Sequence, residues 1–161
     1  MAQADYFLKI EGIEGESTDS KHKGEIEVLS WSWGETNSGS HSMGRGGGAG
    51  KVSMQDFNFV MSANKATPKL MLACAIGTHI PSAKLTARKA GGEQQEYLTI
   101  TFSDLLVSSY QTGGSQGDII PTDQVALNFA KIEYEYKPQK PDGTMDAPIK
   151  VGYDLKANKK I

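Results

Sequence analysis

The stretch Val125-Ala126-Leu127-Asn128-Phe129-Ala130-Lys131-Ile132-Glu133-Tyr134-Glu135-Tyr136 decides the fold class. Its large apolar residues fall first on odd positions (Val125, Leu127, Phe129) and then on even ones (Ile132, Tyr134, Tyr136). Side chains alternate strictly along a β-strand, so a slip of one residue moves the apolar set to the opposite face. Three other runs do the same. In Glu25–Glu35, Ile26 and Val28 give way to Leu29, Trp31 and Trp33, and in Lys51–Met61, Val52 and Met54 give way to Phe57, Phe59 and Met61. In the third, Leu98, Ile100 and Phe102 give way to Leu105 and Val107, with Leu106 keeping both faces apolar there. Either each strand carries a bulge that turns it around a corner, or its two halves are covered from opposite sides. Both readings describe a mainly β chain, an antiparallel barrel or sandwich, in which some apolar surface can await another subunit.

Further strands read outward from these. Tyr6–Ile10 places Tyr6, Leu8 and Ile10 on one face, and Ala83–Arg88 alternates Ala83, Leu85 and Ala87 against charged and hydroxyl residues. Ile149–Lys156 sets Ile149, Val151, Tyr153 and Leu155 against Lys150, Gly152, Asp154 and Lys156, a one-sided strand. Glu11–Gly24, Gly113–Gly117 and Lys137–Gly143 read as polar, glycine-punctuated connections. One short helix is expected. Thr67 suits its N-cap, Pro68 its first position, and Gly77 the left-handed residue that ends it. Between them Leu70–Ile76 carries no charge, so the helix needs cover on most sides.

The 161 residues are read as a single domain, 1–161, large enough to bury a sizeable core. Seventeen basic and 19 acidic side chains leave a net charge of −2, which argues against a polycationic nucleic-acid binder. The longest apolar run, Leu70–Ile76, is far too short to span a bilayer, and Met1–Ile10 lacks the pattern of a secretory signal. Cys74 is the only cysteine, so an intrachain disulfide is impossible, and a chain made in a reducing cytoplasm is expected.

Gly34–Gly50 holds seven glycines in seventeen residues and reads as a long loop of functional length. Within it, Gly44-Arg45-Gly46-Gly47-Gly48-Ala49-Gly50-Lys51-Val52-Ser53 imitates a phosphate-binding loop. Arg45 stands where that motif needs glycine, Val52 replaces the magnesium-holding hydroxyl, and Lys51 opens an alternating strand where the motif needs a helix. The histidines His22, His41 and His79 lack zinc-ligand spacing, and no Gly-x-Ser-x-Gly elbow supports a serine nucleophile. No catalytic, cofactor or metal site is therefore assigned, and the chain is not read as an enzyme. Trp31 and Trp33, two residues apart on one face, leave open a monomeric β-sandwich module that stacks a carbohydrate on its aromatic pair.

The Tyr6-Phe7-Leu8-Lys9-Ile10-Glu11-Gly12-Ile13 run, Leu29-Ser30-Trp31-Ser32-Trp33-Gly34, and Phe57–Met61 leading into Thr67-Pro68-Lys69-Leu70 and Gly77 come in a recognisable order. With Ala83-Lys84-Leu85 and Arg88, Tyr97-Leu98-Thr99-Ile100 and Pro121–Tyr136, they resemble the haemolysin-coregulated protein (Hcp) family of bacterial type VI secretion systems over nearly the whole chain. The resemblance implies a β-barrel with a flanking helix, assembled into homohexameric rings that stack into a tube. It implies as partners other rings, a VgrG-like spike protein, a contractile sheath and effector cargo in the lumen, with no nucleic acid and no membrane insertion. It also implies residence in the cytoplasm before firing and secretion without a signal peptide. Subunit and ring contacts are then expected at Trp31, Trp33, Gly39, His41, Met43, Arg45, Gly47, Leu70 and Leu72, with Gly34–Gly50 as an arm to an adjacent ring.

Overall fold

The computed structural model describes residues 3–38, 51–90 and 93–161. In chain order its elements are β1 (Ala4–Ile10), β2 (Ile26–Glu27), β3 (Ser30–Ser32), β4 (Glu35–Asn37), β5 (Val52–Met54), β6 (Phe57–Ser62), α1 (Thr67–Ile76), β7 (Ile80–Lys89), β8 (Glu96–Gly113), β9 (Thr122–Tyr136), β10 (Ile149–Asp154) and β11 (Lys159–Lys160). Every ladder is antiparallel. β1 lies between β2 and β7, β7 pairs β8, β8 pairs β9, β9 pairs β6, and β6 pairs β3. Because β3 follows β2 across only Val28 and Leu29, this path returns to its start. The chain itself, between β2 and β3, closes this circuit of ladders. Two extensions leave it. β10 adds to the C-terminal half of β9, with β11 outside it, and β4–β5 form a separate hairpin. Glu35–Asn37, expected as part of a loop, is thus a strand.

The face switches resolve in favour of one shared core. Phe102 and Phe129 stand on opposite sides of the switch in β8 and β9, yet their rings are 4.8 Å apart, and Phe57 stacks on Phe102 at 4.8 Å. The two strands keep one register from Leu98↔Tyr136 to Val107↔Leu127, with no pair at Asp104. Asp104 has φ 52°, a left-handed conformation that aspartate tolerates better than most residues. That single turn of the backbone brings Leu105 and Val107 inward after Phe102. A second irregularity, between Val107 and Ser109, leaves Ser108 as the extra residue of a bulge. The Ser108 hydroxyl donates to the Asp56 carboxylate (2.6 Å), which also accepts from Asn128 Nδ2 (2.9 Å). Asp56 lies between β5 and β6, so the residue that fixes the bulge also marks where the hairpin chain joins the circuit.

The switch in β2–β3 is a break in the strand. Ile26 and Val28 are buried and Trp31 is half-buried, but Leu29 points outward at 60% exposure. Leu29 spends its backbone N–H on Val60 O (2.8 Å), which hands the chain from β1 to β6.

α1 has the expected stop. Gly77 adopts φ 67°, ψ 41° and its N–H bonds Ala73 O. Its start differs from expectation, since Ala66 occupies the cap position without a side-chain bond. The Thr67 hydroxyl is engaged elsewhere, accepting from Asn64 N (3.0 Å) and donating to the fully buried Asp123 carboxylate (2.6 Å). Only Leu70 and Ala73 of the helix are buried.

Candidate assembly surfaces

Polar side chains that could suggest chemistry prove to be structural. His22 is buried, stacked on Phe7 at 4.4 Å, with Nδ1 2.9 Å from Glu25 Oε2 and Nε2 2.7 Å from Glu96 Oε1. Arg88, 2% exposed, lies 4.8 Å over the same Phe7 ring. Its guanidinium donates to both Asp19 oxygens (2.9 and 2.8 Å) and to Asp5 (3.2 Å). These contacts tie the 11–25 segment across the outer face of β1. The Arg88 fork holds the Asp19 carboxyl down at about 2 against an ordinary 3.8, burial working in the opposite sense. Asp19 in turn raises the Arg88 guanidinium above its usual value. Spacing alone could not have joined Asp19 to Arg88, which are 69 residues apart. Among the described residues no group of three His, Cys, Asp or Glu side chains could hold a metal ion.

The tryptophans do not form a sugar platform. Trp31 packs inward against Tyr6 and Phe57, each with ring centroids at 6.0 Å, and Trp33 lies 6.5 Å from Phe129. Trp31 therefore serves the core. Trp33 also lines a cleft of about 480 Å³ between the β4–β5 hairpin and the β9–β10 extension, walled by Met54, Tyr134, Val151 and Tyr153. Among the described residues, apolar surface is left uncovered on α1, on β10 and at Ile119–Ile120. On α1, Pro68, Leu72 and Ile76 project outward at helical spacing with Met71 beside them. On β10, Ile149 and Val151 are exposed.

Of the residues expected at contacts, Leu72 lies on the exposed ridge at 54% exposure. Leu70 corrects the expectation: it is fully buried, pointing into the same core as Phe57, and so has no surface to offer a neighbour. Gly39, His41, Met43, Arg45 and Gly47 lie outside the described residues. Lys51 is followed by strand β5 and not by a helix, which removes the context a phosphate-binding loop requires. The exposed Ile149 and Val151 escaped the sequence reading because alternation shows that a strand has an apolar face but not whether anything covers it.

The chain matches known proteins along nearly its whole length. The family model "Type VI secretion system effector, Hcp" matches residues 7–136. The protein hcp1 of Pseudomonas aeruginosa is 54% identical over 156 residues, covering 96% of each chain. The chain belongs to the Hcp family of type VI secretion proteins. Its fold agrees with that membership. The crystal structure of Hcp1 from Salmonella typhimurium matches over the full length of both chains at 43% identity and a TM-score of 0.80. A type six secretion system protein of known structure matches 99% of this chain and 100% of its own at 31% identity and a TM-score of 0.92. The carbohydrate-binding alternative finds no support in these relatives.

Proposed function

We propose that this Hcp-family chain is a mechanical subunit of a type VI secretion tube, built as a homohexameric ring that stacks and is itself secreted. Family membership supports this reading, and the observation that carries it is the pair of dissimilar exposed apolar surfaces on α1 and β10. A ring requires one patch to meet a different patch of the neighbour, repeated until it closes. Contacts to a VgrG-like spike, a contractile sheath and effector proteins in the lumen belong to the same reading, as does storage in the cytoplasm before firing. The role needs no catalysis, and the free energy of assembly comes from apolar area buried between subunits, roughly 25 cal/mol per Å² before association costs.

Light scattering on the purified protein tests the ring. A mass near six times 17.4 kDa is the expected result, with an axial hole in electron micrographs. A 17.4 kDa species that persists at high concentration refutes it. The segment Gly39–Gly48 is proposed as the arm between stacked rings. Its deletion is expected to leave ring mass unchanged and to shorten tubes, and tubes of normal length would reject that role.

A further inference from the structure

The uncovered surfaces on α1 and β10 differ in shape. The α1 ridge of Pro68, Leu72 and Ile76 is convex, and the space between β5 and β10 is a cleft. Within one copy α1 packs on β8, whereas the cleft is walled by residues of β4, β5, β9 and β10. Their charges also differ. The one charged residue of α1 is Lys69, which is exposed beside the ridge, and the cleft's acidic residue is Glu35. Neither is in an ion pair among the described residues.

We propose that the α1 ridge of one copy seats in the β5–β10 cleft of the next, with Leu72 and Ile76 entering between Met54 and Val151 and Lys69 approaching Glu35. The proposal rests on the ring reading above and specifies which surfaces close it. It explains why a ten-residue helix with a single charged residue buries only Leu70 and Ala73 in its own core. It also accounts for β10, whose Ile149 and Val151 continue the cleft wall outward as exposed surface. A convex ridge on one flank and a concave site on another make a head-to-tail contact, the type that a cyclic ring needs.

Disulfide trapping tests it in a Cys74→Ser background, which removes the native thiol. Leu72→Cys and Val151→Cys variants are co-expressed, and a double variant carries both; Val52→Cys serves as a second cleft position. Under mild oxidation, the co-expressed singles are expected to give a covalent dimer and the double variant a ladder up to six subunits. The control pair Leu72→Cys with Leu29→Cys, whose outward leucine lies off the cleft, is expected to give neither. A hexameric mass without cross-links at both cleft positions overturns this contact and leaves the ring standing, as does a ladder from the control pair. A monomeric mass of the unsubstituted protein overturns both readings.

Discussion

Replacing Arg88 by methionine should cost this chain a large part of its stability, although the residue's aromatic contact, with Phe7, would be largely kept. The substitution keeps much of the side-chain length and its contact with Phe7 but removes three charged hydrogen bonds, at 2.9, 2.8 and 3.2 Å. Removing one partner of a buried ion pair typically costs about 3–5 kcal/mol, because the remaining charge is stranded. Here the lower end applies. The side chains of Asp19 and Asp5 are 19% and 40% exposed, so both carboxylates can recover water by a small movement. An expected loss of about 3 kcal/mol corresponds to a fall in Tm of roughly 6–12 °C for a chain of this size. Urea unfolding at one fixed protein concentration measures it, since association adds its own stabilisation. R88K should fall between, because an ammonium cannot reproduce the fork that grips both Asp19 oxygens. Adding Asp19→Asn and Asp5→Asn to R88M should recover part of the loss by removing the stranded charges. An R88M loss below about 1 kcal/mol, or no recovery in the triple variant, refutes the argument.

Asp19 gives the same cluster a pH signature. Its folded value of about 2 lies below the ordinary 3.8, so its contribution is fully present above that ordinary value and is lost as pH falls from there towards 2. Unfolding midpoints measured between pH 5 and pH 2 should fall less steeply for Asp19→Asn than for the unsubstituted chain. Thr67→Val, nearly isosteric, removes the donor to the buried Asp123 carboxylate and should cost about 1.5–3 kcal/mol, while Thr67→Ser should retain most of the stability. Gly15→Ala should cost roughly 1–3 kcal/mol by overpacking. Its Cβ would fall 2.6 Å from Glu25 O and 2.7 Å from Ile26 Cα, and backbone atoms cannot swing aside as a side chain can. Thermal unfolding reads both effects.

The order of apolar residues disclosed much of this fold before any coordinates. The switches after Phe129 and Phe102 are present, and Gly77 ends the helix as its position suggested. Alternation could not show what makes the switch. Nothing in the residues around Asp104 separates a left-handed aspartate from an ordinary exposed one. Thr67 looked like a cap because capping residues and hydroxyl donors to a distant carboxylate are the same residue types, and Asp123 is 56 positions away. Leu70 and Leu72 looked equivalent within the uncharged run Leu70–Ile76, since without amphipathic contrast the sequence does not say which side meets the sheet. The exposed ridge became visible only when the core claimed Leu70 and Ala73.

The closed strand circuit bears on how such a chain can be kept at high concentration without clumping. Five of its strands, β1, β6, β7, β8 and β9, have a hydrogen-bonded neighbour on both sides along at least part of their length, which leaves little bare backbone on which a stray strand can template. The outermost strand of the extension, β11, is a pair of lysines, and adjacent positive charges discourage a second molecule from docking there edge to edge. Polymerisation through main-chain pairing, which tends toward irreversible fibres, is thus disfavoured at both places. Outside the free edges of the β4–β5 hairpin, self-association is left largely to contacts between side chains, which can be undone. A subunit guarded in this way can be stockpiled, assembled on demand and taken apart again.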